Sequence, residues 1–518
     1  MSLHVKPRRI FGQNPAVLWA VWENLVSWFV HSYFPSYLPR LIPPCPYEDD
    51  DDTGTNTNTT RQSHDDSSSP KDSATITTSS TTSTSSSAQQ SQQPTETETD
   101  TDDSDDRTRC ILIGRPGGME QLKTITLQPN IVTCGYNLFQ GGPFVDLGEQ
   151  TLPPDCVILR IRAFSVNYAD CCIRWGLYES AKEYVGYPIC PGFDVAGVIE
   201  RVGSKVTQFA PGDAVYGCSL FGAYSTRVLI PQLHLRKIPQ SALSSKHIAT
   251  TPSTTNSEVD RPPQLPQSSK DMMMDIFTRA AAIPAVALTA LYALFMAGHF
   301  PTPTKFLNKA ILIHSAAGGV GSMLVQMATL LGLHPIVGVV GRSDKVAAAQ
   351  ALGCTHVIDK SQYSSRNPQK MWQDIAAISP SGYATIMESN GVATINESYD
   401  HLAMTGRMIV FGFHTNLPLG RDMLSPTEWI KMAGKMGRMP KFDAMEMGAQ
   451  NKAVLAFNLS FFAQEREMLS DLFDQVQTWL QDGQLVCPRV TTFPMEDIAL
   501  AHEFIQSGKS VGKIVMTT

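Results

Sequence analysis

Short apolar runs separated by glycine and proline turns characterise residues 110–239. Apolar stretches predict strands over 157–164 and 195–203, and a third strand follows the turn at 211–213. Strands at such close intervals predict a β-rich domain in this part of the chain.

Strands and helices alternate after residue 280. An alanine-rich helical run over 280–297 precedes a regular series of predicted elements: strands at 310–315, 335–340 and 355–359, with helices over 319–331 and 344–352 between them. Strands that alternate with helices of this length predict a parallel sheet with crossover helices. The predicted fold class is therefore α/β, a β-rich domain followed by a doubly wound parallel-sheet domain.

Two polar segments are predicted to remain outside these domains. Residues 48–109 are rich in Ser, Thr and Asp and cannot bury enough apolar surface to offset the entropy of folding, which predicts a disordered acidic linker. Residues 241–270 have a similar composition and predict a flexible insertion. Residues 48–106 contain 15 acidic and two basic residues, a net charge of −13; since the chain carries −7, the remainder carries +6. This mild, dispersed excess does not favour nucleic-acid binding.

The first 47 residues combine a basic start with a tryptophan-rich segment at 15–34. A helix there would gather its polar groups into a narrow stripe, and tryptophan favours the membrane–water boundary. We therefore expect peripheral membrane contact through residues 1–47. The alternatives are a helix that packs on the folded part or on a partner, and an organelle-targeting segment, because no acid precedes Glu23.

The strongest chemical motif follows the predicted strand at 310–315. Ala316 begins a turn that ends in Gly318, Gly319, Val320 and Gly321 and opens the next helix. In the dinucleotide-binding fingerprint, the middle glycine admits the pyrophosphate and the last one allows close helix–sheet packing, with the phosphates at the helix N-terminus. Gly318 and Gly321 match these two roles, whereas Ala316 replaces the first glycine. A dinucleotide cofactor is predicted.

The end of the next strand indicates which cofactor binds. An NAD site would place an acidic residue there for the ribose hydroxyl, but this chain has Gly341, Arg342, Ser343 and Lys345. Arg342, Ser343 and Lys345 offer hydrogen bonds to a 2′-phosphate, so NADPH is the predicted cofactor. We interpret Asp344 as the start of the following helix; the alternative for the whole segment is a solvated basic loop.

These motifs resemble, in order, those of the zinc-independent quinone oxidoreductases of the medium-chain dehydrogenase/reductase superfamily, which include the zeta-crystallin-like proteins. The resemblance covers residue 110 to the C-terminus apart from the insertion, and rests on segments 167–178, 191–197, 211–213, 288–290, 318–321 and 512–515. Segments 440–443 and 457–460 are most similar to the synaptic-vesicle membrane protein branch.

The resemblance implies a GroES-like catalytic domain over 110–284 and 463–518, and a Rossmann cofactor domain over 285–462. It places Asn167 and Tyr178 beside the nicotinamide pocket, where Asn167 would hold water or the acceptor oxygen and Tyr178 would donate a hydrogen bond. It also implies that Thr289, Asn390 and Lys513 contact the cofactor. Family members are generally homodimers that pair through the edge of the cofactor domain.

Several residues indicate whether the chain binds zinc and where it departs from the family pattern. Zinc-dependent relatives carry a histidine ligand where this chain has Phe193, and Cys171, Cys172 and Cys190 are wrongly spaced for a tetrahedral site, so no zinc is expected. Asp194 is interpreted as a turn or hydrogen-bonding residue. Cys172 stands where the family usually has a cofactor-contacting tyrosine.

Other chemistry-bearing residues are interpreted as structural. His314 is expected to be a packed strand residue rather than an acid or base. Met432, Met436 and Met439 have helical spacing and are expected to line the core or the pocket.

Two functions from different classes follow. The first is an NADPH-dependent, zinc-independent reductase of quinones or α,β-unsaturated carbonyls, because without a Lewis acid hydride delivery to an activated acceptor remains feasible. The second is a membrane-associated regulatory or lipid-contacting protein that retains the fold. Ten cysteines without a C-x-x-C spacing favour a reducing, cytoplasmic location.

Overall fold

The structure is a computed structural model that describes residues 107–135, 143–148, 151–239, 269–301, 310–364, 367–416 and 426–518. The predictions for residues 1–47 lie outside these described residues. So do those for most of the predicted linker and for residues 241–268 of the predicted insertion.

The first sheet is mixed and surrounds β5 (Cys156–Val166), an eleven-residue strand that is almost wholly buried. The described part of the chain contributes eight more strands to it: β3 (Ile131–Cys134), β4 (Phe144–Asp146), β6 (Asp194–Val202), β7 (Ala214–Cys218), β8 (Arg227–Pro231), β9 (Leu235–Lys237), β16 (Val490–Pro494) and β17 (Lys513–Thr517). β5 pairs antiparallel with β6, with β8 through its first half and with β17 through its second half. The late strand β17 therefore belongs to the same sheet as the early strands.

Smaller elements flank this sheet. A two-stranded antiparallel sheet is formed by β1 (Arg109–Leu112) and β2 (Lys123–Thr126). Two short helices follow β5, namely α1 (Tyr168–Arg174) and α2 (Glu179–Tyr184). Because α1 begins directly where β5 ends, its first residues lie at the end of a buried strand.

The second sheet contains six parallel strands in the described residues, in the order β12-β11-β10-β13-β14-β15. Their bounds are β10 (Ile311–His314), β11 (Ile336–Val340), β12 (His356–Asp359), β13 (Tyr383–Glu388), β14 (Leu402–Val410) and β15 (Ala453–Ala456). The helices that accompany them are α5 (Gly319–Leu330), α6 (Val346–Leu352), α7 (Gln369–Ile378), α8 (Ile395–Asp400), α9 (Pro426–Gly437) and α10 (Ala444–Gln450). The predicted α/β class, with a β-rich part and a doubly wound parallel sheet, is confirmed.

The predicted helical run over 280–297 is wrong in its bounds. The structure has two helices, α3 (Ser269–Ala281) and α4 (Pro284–Met296). Pro284 lacks an N–H group and fixes its φ angle, so it starts a helix more readily than it continues one. Residues 269–270, which were predicted as insertion, belong to α3.

The stretch Met274–Met296 is long and apolar enough to cross a membrane by length and composition, but 67% of its most apolar 18-residue window is buried within the fold. α4 is apolar on all sides because it packs among α5, α11 (Arg466–Gln481) and β7. The last helix, α12 (Ile498–Gln506), packs on α1. The candidate membrane span is thus a core helix by its contacts.

We expect Gly321→Ala to destabilise the protein. A Cβ at Gly321 would lie 2.2 Å from the carbonyl oxygen of Ser315 and 2.8 Å from the Cα of Ala316, which are backbone atoms that cannot turn away. Overpacking of this kind costs about 1–3 kcal/mol, which thermal unfolding followed by circular dichroism will measure as a lower Tm.

Gly434→Ala is the matched control for that substitution. An added Cβ at Gly434 meets no heavy atom within 4 Å, and the residue is exposed in α9. Alanine in a helix interior is favoured by about 0.5–1 kcal/mol over glycine. An unchanged Tm for Gly321→Ala beside this control would contradict the close packing of α5 on β10.

Candidate functional site

The glycine-rich turn after β10 forms the N-terminus of α5. Gly318 immediately precedes the helix, and Gly319, Val320 and Gly321 form its first turn. The nearest heavy atom to a Cβ added at Gly318 would be the Ser315 carbonyl oxygen, at 3.2 Å. The first N–H groups of a helix have no intrahelical acceptor and lie at the positive end of its dipole. The turn therefore has the geometry that a pyrophosphate requires.

Ala316 lies beneath this turn rather than at its surface. It is fully buried, and its N–H donates to the Val339 carbonyl at 3.1 Å. Its methyl group is so close to the neighbouring strand that a Cβ at Gly338 would lie 2.8 Å from it. Ala316 thus shapes the turn, and its predicted contact with the cofactor is at most through the backbone.

The start of β17 is attached to the glycine-rich turn. The Gly512 N–H donates to the Ala317 carbonyl at 2.9 Å, and Gly512 and Gly318 form a parallel bridge. Gly512 has a φ of +71°, in the left-handed region that glycine adopts most readily. Lys513 follows it and lies beside Gly319, where a Cβ would be 3.0 Å from the Lys513 Cδ atom.

A buried carboxylate connects these segments. Asp194 is 0% exposed and accepts hydrogen bonds from Lys513 Nζ at 3.2 Å, Asn167 Nδ2 at 2.8 Å, the Ala285 N–H at 2.6 Å and the Ser165 hydroxyl. Lys513 Nζ also donates to Asn167 Oδ1 at 2.6 Å. Two of the predicted residues, Asn167 and Lys513, are thus brought together beside the predicted glycine turn.

Asn167 is engaged on both sides of its amide by Lys513 and Asp194. Its N–H donates to Asp170 at 2.7 Å, as expected of the residue that caps α1. In this arrangement Asn167 orients the Lys513 ammonium. The role suggested by the resemblance, in which Asn167 holds water or the acceptor oxygen, remains a prediction.

Tyr178 lies at the start of α2 with its hydroxyl already paired. The hydroxyl donates to Asn458 Oδ1 at 2.9 Å and accepts from Ser460 Oγ at 3.2 Å. Burial raises the pKa of the Tyr178 hydroxyl above its usual range, so it stays protonated at neutral pH. The sequence predicted Tyr178 but not its two partners, although both lie in the segment 457–460 that carried the branch resemblance.

The predicted phosphate-binding side chains have protein partners. The Arg342 guanidinium pairs with Asp344, with 2.8 Å between Nε and Oδ1, and both side chains are about half exposed. Lys345 Nζ donates to the carbonyls of Gly508 and Ser510, each at 2.7 Å. Asp344 lies in a short 3₁₀ turn before α6, so it is both the start of a helical segment and a competitor for Arg342.

Ser343 and Gly341 belong to the same loop as Arg342 and Lys345. The Ser343 hydroxyl donates to Asp359 Oδ2 at 2.6 Å. Lys360 was not among the predicted residues, although it lies beside this loop. Its Cε atom would be 3.4 Å from a Cβ added at Gly341. Burial lowers the pKa of the Lys360 ammonium. A basic residue directly after the strand at 355–359 was the available signal.

Asn390 lies at the carboxyl end of β13. Its N–H donates to Glu388 Oε1 at 2.7 Å, and its carbonyl accepts from the Thr415 N–H at 2.9 Å. Within the described part of the chain, the buried side-chain atoms Asn390 Oδ1 and Ser389 Oγ have no hydrogen-bond partner. Buried polar atoms are normally paired, so these two fit a ligand at this edge of the sheet.

Thr289 is half-buried on α4. Val286, one turn earlier on the same helix, has its Cγ1 atom 3.0 Å from a Cβ at Gly319. The predicted Thr289 contact is therefore on a helix that borders the glycine turn, and it remains a prediction.

Phe193 occupies the position at which zinc-dependent relatives have a histidine. Its ring packs against Tyr178 and Phe221, with centroid distances of 6.0 and 5.2 Å. Among the described residues, no group of three His, Cys, Asp or Glu side chains is arranged to hold a metal ion. The prediction that no zinc binds stays a prediction.

His314 is packed as the sequence suggested. It is 1% exposed at the end of β10, with Nε2 3.0 Å from Ser398 Oγ and its ring edge against Trp372. Burial lowers the pKa of His314, which keeps the imidazole neutral at pH 7.

The three methionines have two different environments. Met432 is buried beside Cys171 and Trp175, with Met436 partly buried at the same place. Met439 packs in the core of the parallel-sheet part. Met432 and Met436 thus bring α9 onto α1, which begins beside Asn167.

Two known family profiles match separate regions of this chain. Residues 153–240 match the family profile described as the alcohol dehydrogenase GroES-like domain, and residues 319–449 match the zinc-binding dehydrogenase profile. The two profiles fall on the mixed sheet and the parallel sheet, respectively. The chain thus resembles the medium-chain dehydrogenase/reductase superfamily in both of these regions. Its two parts are therefore a GroES-like domain and a Rossmann domain, as the resemblance implied.

Curated relatives of this chain have three kinds of name: VAT-1 homologs, a 2-haloacrylate reductase and highly reducing polyketide synthases. The synaptic vesicle membrane protein VAT-1 homologs of Danio rerio and Homo sapiens are 25% and 26% identical over 72% and 70% of this chain. The aligned region spans 66% of the first and 79% of the second. The 2-haloacrylate reductase of a Burkholderia species is 27% identical over 70% of this chain and 91% of its own length.

Solved structures show the same fold. The quinone oxidoreductase of Escherichia coli complexed with NADPH has a TM-score of 0.56 and 21% identity, over 79% of this chain and all of that one. The human synaptic vesicle membrane protein VAT-1 homolog-like protein has a TM-score of 0.54 and 18% identity, over 80% and 98% of the two chains. The resemblance to zinc-independent quinone oxidoreductases fits these neighbours.

We expect Asp194→Asn to be strongly destabilising. The substitution removes the carboxylate that pairs with the buried Lys513 ammonium, which is 3% exposed. An unpaired buried charge costs about 3–5 kcal/mol, so chemical denaturation should show a large fall in the free energy of unfolding.

Asp474→Asn is the matched control, because it removes the same group from an ion pair with Arg236 in which the carboxylate is 63% exposed. Such pairs contribute about 0–1 kcal/mol. If the two variants were equally stable, Asp194 would not hold the network together.

Proposed function

We propose that this protein is an NADPH-dependent, zinc-independent reductase that transfers hydride to a quinone or an α,β-unsaturated carbonyl acceptor. The observation that carries the proposal is the position of the glycine turn. It lies beside a buried network of Asn167, Lys513 and Asp194. The name of the 2-haloacrylate reductase and the quinone oxidoreductase titles among the neighbours support the same class of reaction.

The described residues fit NADPH at three places. The N–H groups at the start of α5 would hold the pyrophosphate, and the unpaired atoms of Ser389 and Asn390 would bond the nicotinamide end. Arg342 would pair with the 2′-phosphate once Asp344 is displaced, while Lys345 keeps the loop attached to residues 508–510. When bound, NADPH supplies the hydride.

Residues of the chain would prepare the acceptor without a metal. An enone or quinone that takes up hydride places negative charge on an oxygen, and hydrogen-bond donors in a water-poor pocket stabilise that charge. The Tyr178 hydroxyl is protonated but already donates to Asn458, so it would serve as such a donor only by giving up that bond. Asn167 would act through Lys513, by fixing the ammonium beside the glycine turn.

We also propose a cytoplasmic homodimer. Among the described strands, β15 lies at the edge of the parallel sheet and pairs with β14. Strand edges are common places for pairing with another chain.

The second candidate is a membrane-associated protein that keeps the fold for regulation or lipid contact, with peripheral contact through residues 1–47. The names of the VAT-1 homologs favour it, as does Cys172 in place of the family's tyrosine. The commitment of Arg342 to Asp344 points the same way, because it weakens the nucleotide site as it stands.

An acceptor assay with the full chain tests the proposed function. NADPH oxidation followed at its absorbance maximum should proceed at rates on the order of 1 s⁻¹ or faster with naphthoquinones or cyclic enones, and a chelator should not change it. The blank without acceptor is the control. Tight NADPH binding without any acceptor reduction would favour the second candidate.

The nucleotide preference is a separate prediction. We expect NADPH to bind at least tenfold more tightly than NADH, a difference of about 1.4 kcal/mol, and Arg342→Ala to abolish that preference. Asp344→Asn should tighten NADPH binding, since it frees Arg342 and removes a repelling carboxylate.

Lys370→Ala is the control, since it removes another exposed cation of the Rossmann domain, 78% exposed beside Asp374. Kd values for both nucleotides come from fluorescence titration. Equal affinities for NADPH and NADH in the unaltered chain would refute this interpretation of the loop.

A further inference from the structure

The Tyr168 hydroxyl is buried at the entrance of α1 without a hydrogen-bond partner among the described residues. Tyr168 follows Asn167, so it lies directly next to the network at the glycine turn. A buried hydroxyl with no partner is uncommon, since pairing offsets the cost of removing it from water. The unpaired hydroxyl therefore points to a ligand.

The surroundings of Tyr168 place it where the GroES-like and Rossmann domains touch. Its ring packs edge-on against Trp175 from the GroES-like domain and against His414 from the Rossmann domain, each at a centroid distance of 6.2 Å. His414 Nδ1 donates to the Ser389 carbonyl at 2.9 Å, next to the unpaired Ser389 Oγ and Asn390 Oδ1 atoms. Tyr168 thus faces the place where the nicotinamide end of the cofactor is proposed to bind.

The other side chains that pack around Tyr168 are mostly apolar. Cys172, Leu177 and Met436 are partly buried with Tyr168 around the buried Met432. A flexible methionine wall accepts apolar groups of varied shape. Apolar surroundings with one unpaired hydroxyl suit an apolar acceptor that carries a polar oxygen.

Tyr178 and His414 are two other candidate hydrogen-bond donors. Each already uses its proton in a hydrogen bond within the protein. The Tyr178 hydroxyl donates its proton to Asn458. His414 donates from Nδ1 to a backbone carbonyl, and burial lowers its pKa so that it carries no second proton at neutral pH. Burial raises the pKa of Tyr168 far above neutrality, which keeps its hydroxyl protonated and available as a donor.

We propose that Tyr168 is a catalytic residue whose hydroxyl donates a hydrogen bond to the carbonyl oxygen of a bulky apolar enone or quinone; this rests on the proposed reductase function. In the enone case, the β-carbon receives the hydride that NADPH supplies and forms a C–H bond. The electron pair of the C=C bond then moves to give an enolate, whose oxygen Tyr168 stabilises. Water protonates the α-carbon, so the products are the saturated ketone, hydroxide and NADP⁺.

The test compares Tyr168→Phe with Tyr178→Phe in the full chain. Loss of one donor to a developing oxyanion lowers kcat on the order of 10²–10³-fold, so Tyr168→Phe should lose activity on this scale and keep its Kd for NADPH within about twofold. Its Tm should be unchanged, because no hydrogen bond within the protein is lost. Tyr178→Phe should instead lower the Tm, since it breaks the bond to Asn458.

Binding of 1,4-naphthoquinone, measured by quenching of tryptophan fluorescence, separates this proposal from the proposed function. If the unaltered chain binds the quinone without reducing it and Tyr168→Phe weakens that binding tenfold, the carbonyl site stands and the reductase function fails. If Tyr168→Phe reduces and binds quinones as the unaltered chain does, the Tyr168 proposal is overturned while the reductase function stands. A chain that neither binds nor reduces the quinone overturns both.

Discussion

One buried carboxylate holds three distant parts of the chain together beside the glycine turn. Asp194, at the start of β6, bonds the end of β5, the N-terminus of α4 and the Lys513 side chain from β17. A charge in the interior is tolerated only when its partners are fixed, so each of these elements must stay in position. The glycine turn depends on the same constraint, because β17 lies against it.

The nucleotide-binding turn was predictable because its signal is local. A buried strand, a short glycine-rich turn and an apolar helix follow each other within a few residues, and the backbone needs no distant contact to adopt that shape. The α/β class was predictable for the same reason. The break at Pro284 was missed because an alanine-rich run hides a proline that is compatible with the first turn of a new helix.

The partners of the predicted side chains could not be derived from the sequence pattern. Asn167 and Lys513 are 346 residues apart, and nothing in either segment indicates that they touch. Arg342 and Asp344 are only two residues apart, so their pairing was easier to anticipate. The sequence still does not indicate whether the guanidinium pairs with Asp344 or with a bound 2′-phosphate. The predictions for residues 1–47 and 48–106 concern a part of the chain outside the described residues.

The return of β17 to β5 also sets an order of assembly. Contacts between residues so far apart in sequence form late, because a long loop must close before they stabilise anything. The parallel strands, which are joined by shorter connections, can associate first and bring the two ends of that loop close together. We therefore expect the contacts around Asp194 to form late in folding, and a bound nucleotide would stabilise the folded state that contains them.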